Sequence, residues 1–425
     1  MSQHFVALSS VRSFIVAVFQ QPKGDLAERL TCRVTVFVMA LLSAVLITSH
    51  FWGEPIACWA PAEYTKYWVN FLNNYCYVQG TYYVSNAQPL VWKDVNERRR
   101  VAITYYQWVP YVFAVQAFLY YLPKFVWKIL CGLCGVDLPG IIRHVDHVWG
   151  DSRENEATFE SRFKRFEIAA APLVWDSLKL YRSRCGGLPA LVTCYVFSKL
   201  IHAANAAIQW IWLNEFLNSH VYSFWGVDIL KDLMRGLTWQ DTGHFPRITQ
   251  CDYPVRKPVF TQEATVTCVL TLNVYYEKIF LFLWFWLAFI ALSNILSALF
   301  WLWVCLFPAA NVRLIRKYLY ATQNAEEVTT VTQPNVSAPC DNHSFASADA
   351  EIGSFLQEQL GQDGVFMIRQ VAVNIGHLPA AYLSRAMHDT LFLRKATSRP
   401  SSKLNSPPSP TIYTPKQKVK NTKQM

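Results

Sequence analysis

Cysteine is the residue type whose number and spacing point most directly to chemistry in this chain. Of 11 cysteines in 425 residues, Cys58 and Cys76 lie 18 positions apart, and Cys251 and Cys268 lie 17 apart. Thiols oxidise outside the cell and stay reduced in the cytosol, so their compartment decides their fate. Four cysteines allow three pairings, and the sequence alone does not choose among them. A second group, Cys131-Gly-Leu-Cys134 followed by His144 and His147, has the residue types of a zinc site. The run to His144 is short for a zinc finger, and the two histidines stand closer than usual. Reduced thiols, open to palmitoylation, are therefore expected there, and no metal ligands are assigned. Glu277 and Lys278 are adjacent, but no third partner stands at a usable spacing, so they read as an interfacial polar cluster. No nucleophile–base pair, H-x-x-x-x-D, H-E-x-x-H or Gly-rich phosphate loop is visible. No enzyme and no cofactor is expected, and no partnership with nucleic acid.

The elements that must position these cysteines come from composition. The chain is 52% hydrophobic and 15% aromatic, and only 16% charged. A soluble protein carries roughly 25% charged residues, so the balance is that of an integral membrane protein. A membrane span needs about 20 mostly apolar residues. Four stretches qualify: Val34 to Trp52, Tyr105 to Leu130, Leu188 to Leu213, and Ile279 to Phe307. The fold class is an all-α membrane protein with four transmembrane helices. The second span carries two aromatic belts, Tyr105, Tyr106, Trp108 and Tyr111 at one end, and Tyr120, Tyr121 and Trp127 at the other. Tyr106 and Trp127 stand about 32 Å apart on a helix, the depth of a bilayer core. Such rings favour the headgroup level. Pro110 removes one backbone hydrogen bond and is expected to kink this helix, shaping the bundle rather than gating a pore. No cleavable signal peptide is evident near the start.

Four spans place both termini on one side. Residues 1–33, 124–187 and 308–425 together hold 27 basic and 18 acidic residues, whereas 53–103 and 214–267 hold 10 and 10. The basic excess makes the termini and the central loop cytoplasmic. Arg98, Arg99 and Arg100 run against this, and the other flanks outvote them. The expected order is a cytoplasmic segment 1–33, an outer loop 53–104, a cytoplasmic loop 131–187 and an outer loop 214–278. A cytoplasmic helical region with a flexible linker follows at 308–395, then a disordered, Ser/Pro/Lys-rich tail at 396–425. Each outer loop thus holds two cysteines in an oxidising compartment. Bridges between the loops would fuse them into one domain; bridges within each would leave them separate.

Before the first span, Val11, Phe14, Ile15, Val18 and Phe19 fall on one helical face, with Arg12 the only charge. That helix either lies on the inner leaflet or packs on the first span with its other face toward permeating solutes. In the third span, Lys199, His202, Asn205 and Gln209 share a face. Neighbouring alanines favour helix packing and subunit contact over pore lining. The stretch 322–350, rich in small polar residues, reads as linker, and 351–395 as helical.

YYQWVP at 105–110, with a two-cysteine loop on either side, resembles the signature of the innexins, the invertebrate gap-junction proteins. QPKGDLAERL (21–30), GHFPRITQC (243–251), TLNVYYEKIFLFLWFWL (271–287) and GQDGVFMIRQVAVNIGHLPAAYL (361–383) resemble the family as well. The resemblance covers residues 1 to about 395. It implies a subunit of a large-pore channel in the plasma membrane at gap junctions, passing ions and small molecules between cells. An octameric ring would form a hemichannel that docks with one of the adjacent cell, and other innexins are implied as further partners. By the family's pattern Cys58 pairs with Cys268 and Cys76 with Cys251. The N-terminal segment would fold toward the pore entrance, making Val11, Arg12, Phe14, Ile15, Val18 and Phe19 pore-entrance residues. The sequons at Asn335 and Asn342 fall in the tail and none in the outer loops, which favours docking. The alternatives are an undocked hemichannel releasing solutes and a non-conducting four-span adhesion or scaffold protein. Membrane lipids are partners in every case.

Overall fold

The computed structural model describes residues 24–84, 103–155, 159–186, 189–217, 224–236, 245–256, 259–330 and 353–397. Val11, Arg12, Phe14, Ile15, Val18 and Phe19, the sequons and the residues after 397 lie outside this set. The described residues open with α1 (Leu26–Arg29), a π-helical turn (Leu30–Thr35) and α2 (Val36–Trp52), which run on as one rod. A cap follows: β1 (Ile56–Cys58) and α3 (Lys66–Gln79). Then come α4 (Tyr105–Cys134), α5 (Leu138–Asn155), α6 (Phe159–Arg165), a π-helical turn (Phe166–Ala170), α7 (Ala171–Cys185) and α8 (Ala190–Leu217). The chain returns to the cap through α9 (Trp225–Met234), β2 (Ile248–Arg256) and β3 (Thr261–Leu270). The described residues close with α10 (Asn273–Leu306), α11 (Pro308–Thr330), a π-helical turn (Phe355–Leu360), α12 (Gly361–Asn374) and α13 (His377–Thr397).

Among the described residues, four helices are long and apolar enough to cross a membrane: Leu26–His50, Tyr105–Cys134, Ala190–Leu217 and Asn273–Leu306. In the bundle α2 packs on α4, α4 on α8, and α8 on α10. Inward side chains such as Met39, Tyr106, Phe113, Tyr120, Phe280 and Leu287 are fully buried. Phe37, Leu41, Val45, Phe118, Phe289 and Leu296 on the outer faces are exposed. In water such a surface would aggregate; here it suits lipid tails or neighbouring helices.

At one end of the bundle stands the cap, an antiparallel sheet of order β1-β3-β2 with α3 against it. At the other end stands an all-helical base. It joins the segment between α4 and α8 to the segment after α10 in a single core around Val145, Phe166, Leu178, Ile368, Leu383 and Met387. Burying each such side chain contributes about 1.5–3 kcal/mol. Base and bundle are also joined by polar caps. Tyr181 Oη accepts from Leu191 N at 2.7 Å, and Asp363 Oδ1 from Val192 N at 3.0 Å. These are two of the amides that the first turn of α8 leaves without helical partners. Burial pushes the Asp363 carboxyl above its ordinary value, against the pull of the Val192 bond. One expectation is corrected: residues 322–330 are not linker but the last turns of α11. Its buried stripe of Ile315, Tyr318, Leu319 and Thr322 continues the base core, and that packing outweighs the low helix propensity of the Thr-rich end.

Candidate functional site

The four paired cysteines meet in the cap. Cys58 in β1 stands directly opposite Cys268 in β3 and is bridged to it, with Cα atoms 3.9 Å apart. Cys76, on the buried face of α3, is bridged to Cys251 in β2, with Cα atoms 5.8 Å apart. The two cystines lie side by side. Sulfurs of Cys58, Cys76 and Cys268 fall within 4.8 Å of one another, the only such cluster among the described residues. Both bridges run between the segments before α4 and after α8, so those segments form one domain. Hydrogen bonds within and between the two segments knit the same domain. Asn73 Oδ1 accepts from Cys58 N at 3.0 Å, and Tyr82 and Gln250 exchange backbone bonds at 2.9 Å each way. Tyr82 Oη and Thr265 Oγ1 both donate to Asp252 Oδ1, at 3.0 and 2.6 Å. The hydroxyls of Tyr64 and Tyr253 meet at 2.9 Å; burial and the neighbouring Tyr64 push the Tyr253 phenol up to about 12.

The YYQWVP stretch is the joint between cap and membrane. Gln107 Nε2 donates to the carbonyls of Tyr77 at 2.6 Å and Val78 at 3.1 Å, and Tyr106 Oη donates to Tyr77 O at 3.1 Å. These are carbonyls in the last turn of α3, which a helix end leaves open. Tyr105 stacks edge-on against Phe245, while Trp108 and Tyr111 turn outward together. His50, at the end of the first span, completes the joint. Its Nδ1 lies 2.9 Å from Tyr77 Oη and its Nε2 3.1 Å from Tyr276 Oη. The single proton of Tyr276 is committed to the Tyr106 carbonyl, which only accepts. His50 Nε2 therefore donates to Tyr276, and Nδ1 accepts from Tyr77. Burial, with Tyr106 and Tyr111 nearby, pushes the Tyr77 phenol up, so it stays a donor.

Both prolines of α4 sit within a continuous helix. Each lacks the amide that would bond the carbonyl four residues back. Pro110 frees the carbonyl of Tyr106, which accepts from Tyr276 Oη of α10 at 3.2 Å. Pro123 frees the carbonyl of Leu119, which accepts from Asn205 Nδ2 of α8 at 3.0 Å. A freed carbonyl in a bilayer has no water to turn to, and a neighbouring span supplies its donor. Ser43 Oγ of α2 adds a bond to the carbonyl of Pro110 itself, at 2.8 Å.

At the base side, the QPKGDLAERL acids close onto the third span. Lys199 is buried, with its Nζ 2.7 Å from Glu28 Oε1 and 3.3 Å from Asp25 Oδ2. Tyr195 Oη donates to Glu28 Oε1 at 2.9 Å, and Ser297 Oγ of α10 to Asp25 Oδ2 at 2.7 Å. Burial pushes the Asp25 carboxyl up, but Lys199, Ser297 and the Leu26 amide outweigh it and hold it below its ordinary 3.8. Gly24 N donates to Asn374 Oδ1 at 2.7 Å, and Arg29 Nη2 to Val373 O at 2.9 Å. Gly24 and α1 are therefore latched to α8, α10 and α12. In α8, Lys199, His202 and Gln209 are buried inside the subunit, and Asn205 is half-buried.

The remaining chemical residues do not assemble into a site. Glu277 is buried between Lys278 at 2.6 Å and Arg247 at 2.7 Å; the third partner comes from just before β2. Cys131 and Cys134 do not gather with His144 and His147. His144 bonds the Ala169 carbonyl at 3.3 Å, and His147 lies 3.2 Å from Asp151. Sequence reasoning missed the latch and the proline partners. Acids just ahead of one span and a lysine within another were a readable signal for the first; nothing one-dimensional marks the second.

Four membrane-length helices, a cap stapled by two cystines and an all-helical base define the class: a four-span membrane protein with a rigid, oxidised domain at one end. The innexin family model matches residues 24–391, and the chain belongs to that family, whose members form gap-junction channels. It is 42% identical to Innexin-6 of Caenorhabditis elegans over 389 residues, covering 92% of this chain and 93% of the relative. It is 32% identical to Innexin-3 of the same organism, covering 83% of this chain and 80% of the relative. Against Innexin unc-9, also of C. elegans, identity is 30%, covering 85% of this chain and 91% of the relative.

Proposed function

We infer that the chain is a subunit of a gap-junction channel that passes ions and small molecules between adjacent cells. One observation carries this: two side-by-side cystines weld both segments of one bundle end into a single block. A block so fixed presents the same surface on every subunit, as end-to-end docking of two rings requires. In this reading the cap is extracellular, where its thiols oxidise, and the base and both termini are cytoplasmic. The subunits form an octameric hemichannel in the plasma membrane. Exposed rings of Tyr67, Trp68 and Phe71 on α3 face the neighbouring subunit or the opposed ring. The segment before Gly24 turns into the pore, so that Val11, Arg12, Phe14, Ile15, Val18 and Phe19 line its entrance. Pro110 fixes the course of the second span, and the protein performs no catalysis.

Paired expressing cells test this. Junctional conductance and dye transfer between them are expected. Conductance confined to single, unpaired cells would favour an undocked hemichannel, and silence in both would favour a scaffold. Imaging of purified particles counts subunits and shows whether two rings meet. A thiol reagent applied inside should block channels carrying Arg12→Cys or Phe14→Cys; unaltered current with both would remove these residues from the pore entrance.

A further inference from the structure

A cavity of about 520 Å³ opens on the base side, between the end of α4, the start of α5, α8, α12 and the latch at Gly24 and Glu28. Its charges are unbalanced. Lys124 and Lys128, one turn apart on α4, and Arg143 on α5 all line it. None of the three has a carboxylate within ion-pair distance among the described residues. The two acids in its wall are engaged elsewhere: Glu28 by Lys199 and Tyr195, Asp137 by the Gly140 amide at 3.0 Å. In its wall His202 is 2% exposed, and its Nδ1 has no hydrogen-bond partner among the described residues. An unpartnered buried polar atom beside uncompensated cations points to a missing anion that offers oxygen atoms.

The rest of the wall says what carries that anion. Trp127, Val136, Leu138 and Ile142 make it largely apolar, and Trp127 belongs to the aromatic belt of this span, a residue type that favours the headgroup level. Beside the cavity Phe125, Ile129 and Leu133 form an exposed apolar stripe down α4. Cations at headgroup depth above an apolar track suit an amphiphile rather than a soluble ion. We propose that this cavity binds the phosphate headgroup of an anionic phospholipid from the adjoining leaflet. Lys124, Lys128 and Arg143 hold the phosphate, His202 Nδ1 meets a headgroup oxygen or hydroxyl, and an acyl chain follows the α4 stripe. Because the site joins α4 to α5, α8 and α12, a bound lipid clamps the base to the bundle. The proposal rests on the four-span arrangement and holds whether or not the rings dock.

The test uses the assembled full-length channel in dodecyl maltoside, with native mass spectrometry to count retained lipid. Palmitoyl-oleoyl phosphatidylserine, the matching phosphatidylcholine, and inorganic phosphate are added separately and in competition. Wild type should retain phosphatidylserine over phosphatidylcholine, up to one per subunit. Lys124→Gln with Arg143→Gln should weaken that retention about 25-fold, at about fivefold per removed cation. Lys164→Gln with Lys179→Gln, which removes equal charge from exposed base positions, should leave it unchanged. Intact rings in electron micrographs confirm that both double variants assemble. The proposal is overturned if the two double variants behave alike, or if phosphatidylcholine is held equally well. It is also overturned if inorganic phosphate displaces the lipid at matched concentration, which would assign a soluble anion. Lipid retained only after residues 2–23 are removed would assign the cavity to the chain's own N-terminus.

Discussion

The pairing of each proline in α4 with a donor from another span makes a quantitative claim. Take Pro123, whose missing amide frees the Leu119 carbonyl, and Asn205, whose Nδ2 fills that place at 3.0 Å. Asn205→Leu keeps most of the volume and removes the donor. It also deprives Gln209 Nε2 of its 3.3 Å acceptor. A hydrogen bond between helices in a bilayer is worth about 0.6 kcal/mol on average and up to about 1.7. Leaving a buried carbonyl unpaired costs about 1–3 kcal/mol. Asn205→Leu should therefore destabilise the subunit by roughly 1–2 kcal/mol. In a Pro123→Ala background the helix supplies its own amide to Leu119, and Asn205→Leu should lose only the Gln209 bond. The two substitutions should couple by about 1 kcal/mol, with the double variant more stable than additivity allows. The assay is reversible unfolding in mixed dodecyl maltoside and dodecyl sulfate micelles, followed by tryptophan fluorescence for all four proteins. Equal cost of Asn205→Leu in both backgrounds would refute the reasoning. Asn205 would then be a packing residue whose bond to Leu119 is incidental.

Three further perturbations reach other parts of the frame. Lys199→Met strands Asp25 and Glu28 and should destabilise by about 3–5 kcal/mol, the cost of a buried charge left unpaired; surface expression and micelle unfolding report it. Asp25 is held below 3.8 in the fold, so its stabilising share is full above that value and is lost as pH falls through the lower one. In Lys199→Met, only the Ser297 and Leu26 bonds are left to oppose burial at Asp25, so the deficit against wild type should narrow as pH falls; a constant deficit would disprove the pairing. With Cys76–Cys251 intact, the Cys58–Cys268 link closes a ring of roughly 37 residues, so Cys58→Ser with Cys268→Ser should remove about 4 kcal/mol from the cap and abolish junctional conductance. Full conductance in that variant would sink the welded-block reading. Gly226→Val would drive a side chain into the Trp284 ring, which a Cβ at Gly226 already overlaps. It should cost about 1–3 kcal/mol and cut surface expression, whereas an exposed glycine such as Gly132 should accept alanine unchanged.

What the sequence could show followed from properties that survive in one dimension. Apolar runs of membrane length, aromatic belts and cysteine spacing all count residues along a single chain, so the four spans and the paired cysteines were readable. The linker reading over 322–330 failed because propensity ignores what lies across the interface: Thr322 is buried on the same stripe as Ile315 and Leu319. Pairwise facts were hidden for the same reason. Arg247 and Glu277 are 30 positions apart, and Lys199 and Asp25 are 174 apart; no periodicity links either pair.

The prolines show why this division is physical. A proline in a span announces a freed carbonyl at a known position, four residues back, so the demand is fully legible. The supply is not. Tyr276 and Asn205 meet it from two different spans, and which donor reaches which carbonyl depends on the rotation and depth of each helix. The two donors also differ in consequence. Asn205 serves a carbonyl at mid-bundle, and its bond ends there. Tyr276 draws its own bond from His50, which draws one from Tyr77, whose carbonyl holds Tyr106 and Gln107. The Pro110 site is therefore continuous with the α3 end of the stapled cap, while the Pro123 site is not. Relieving Pro110 with Ala should release the Tyr276 proton from its fixed partner and loosen the order of donors through His50. Relieving Pro123 should leave the cap untouched. Amide exchange in α3 separates the two: faster exchange at Val78 to Gly80 in Pro110→Ala but not in Pro123→Ala is expected, and equal exchange in both would break the proposed continuity.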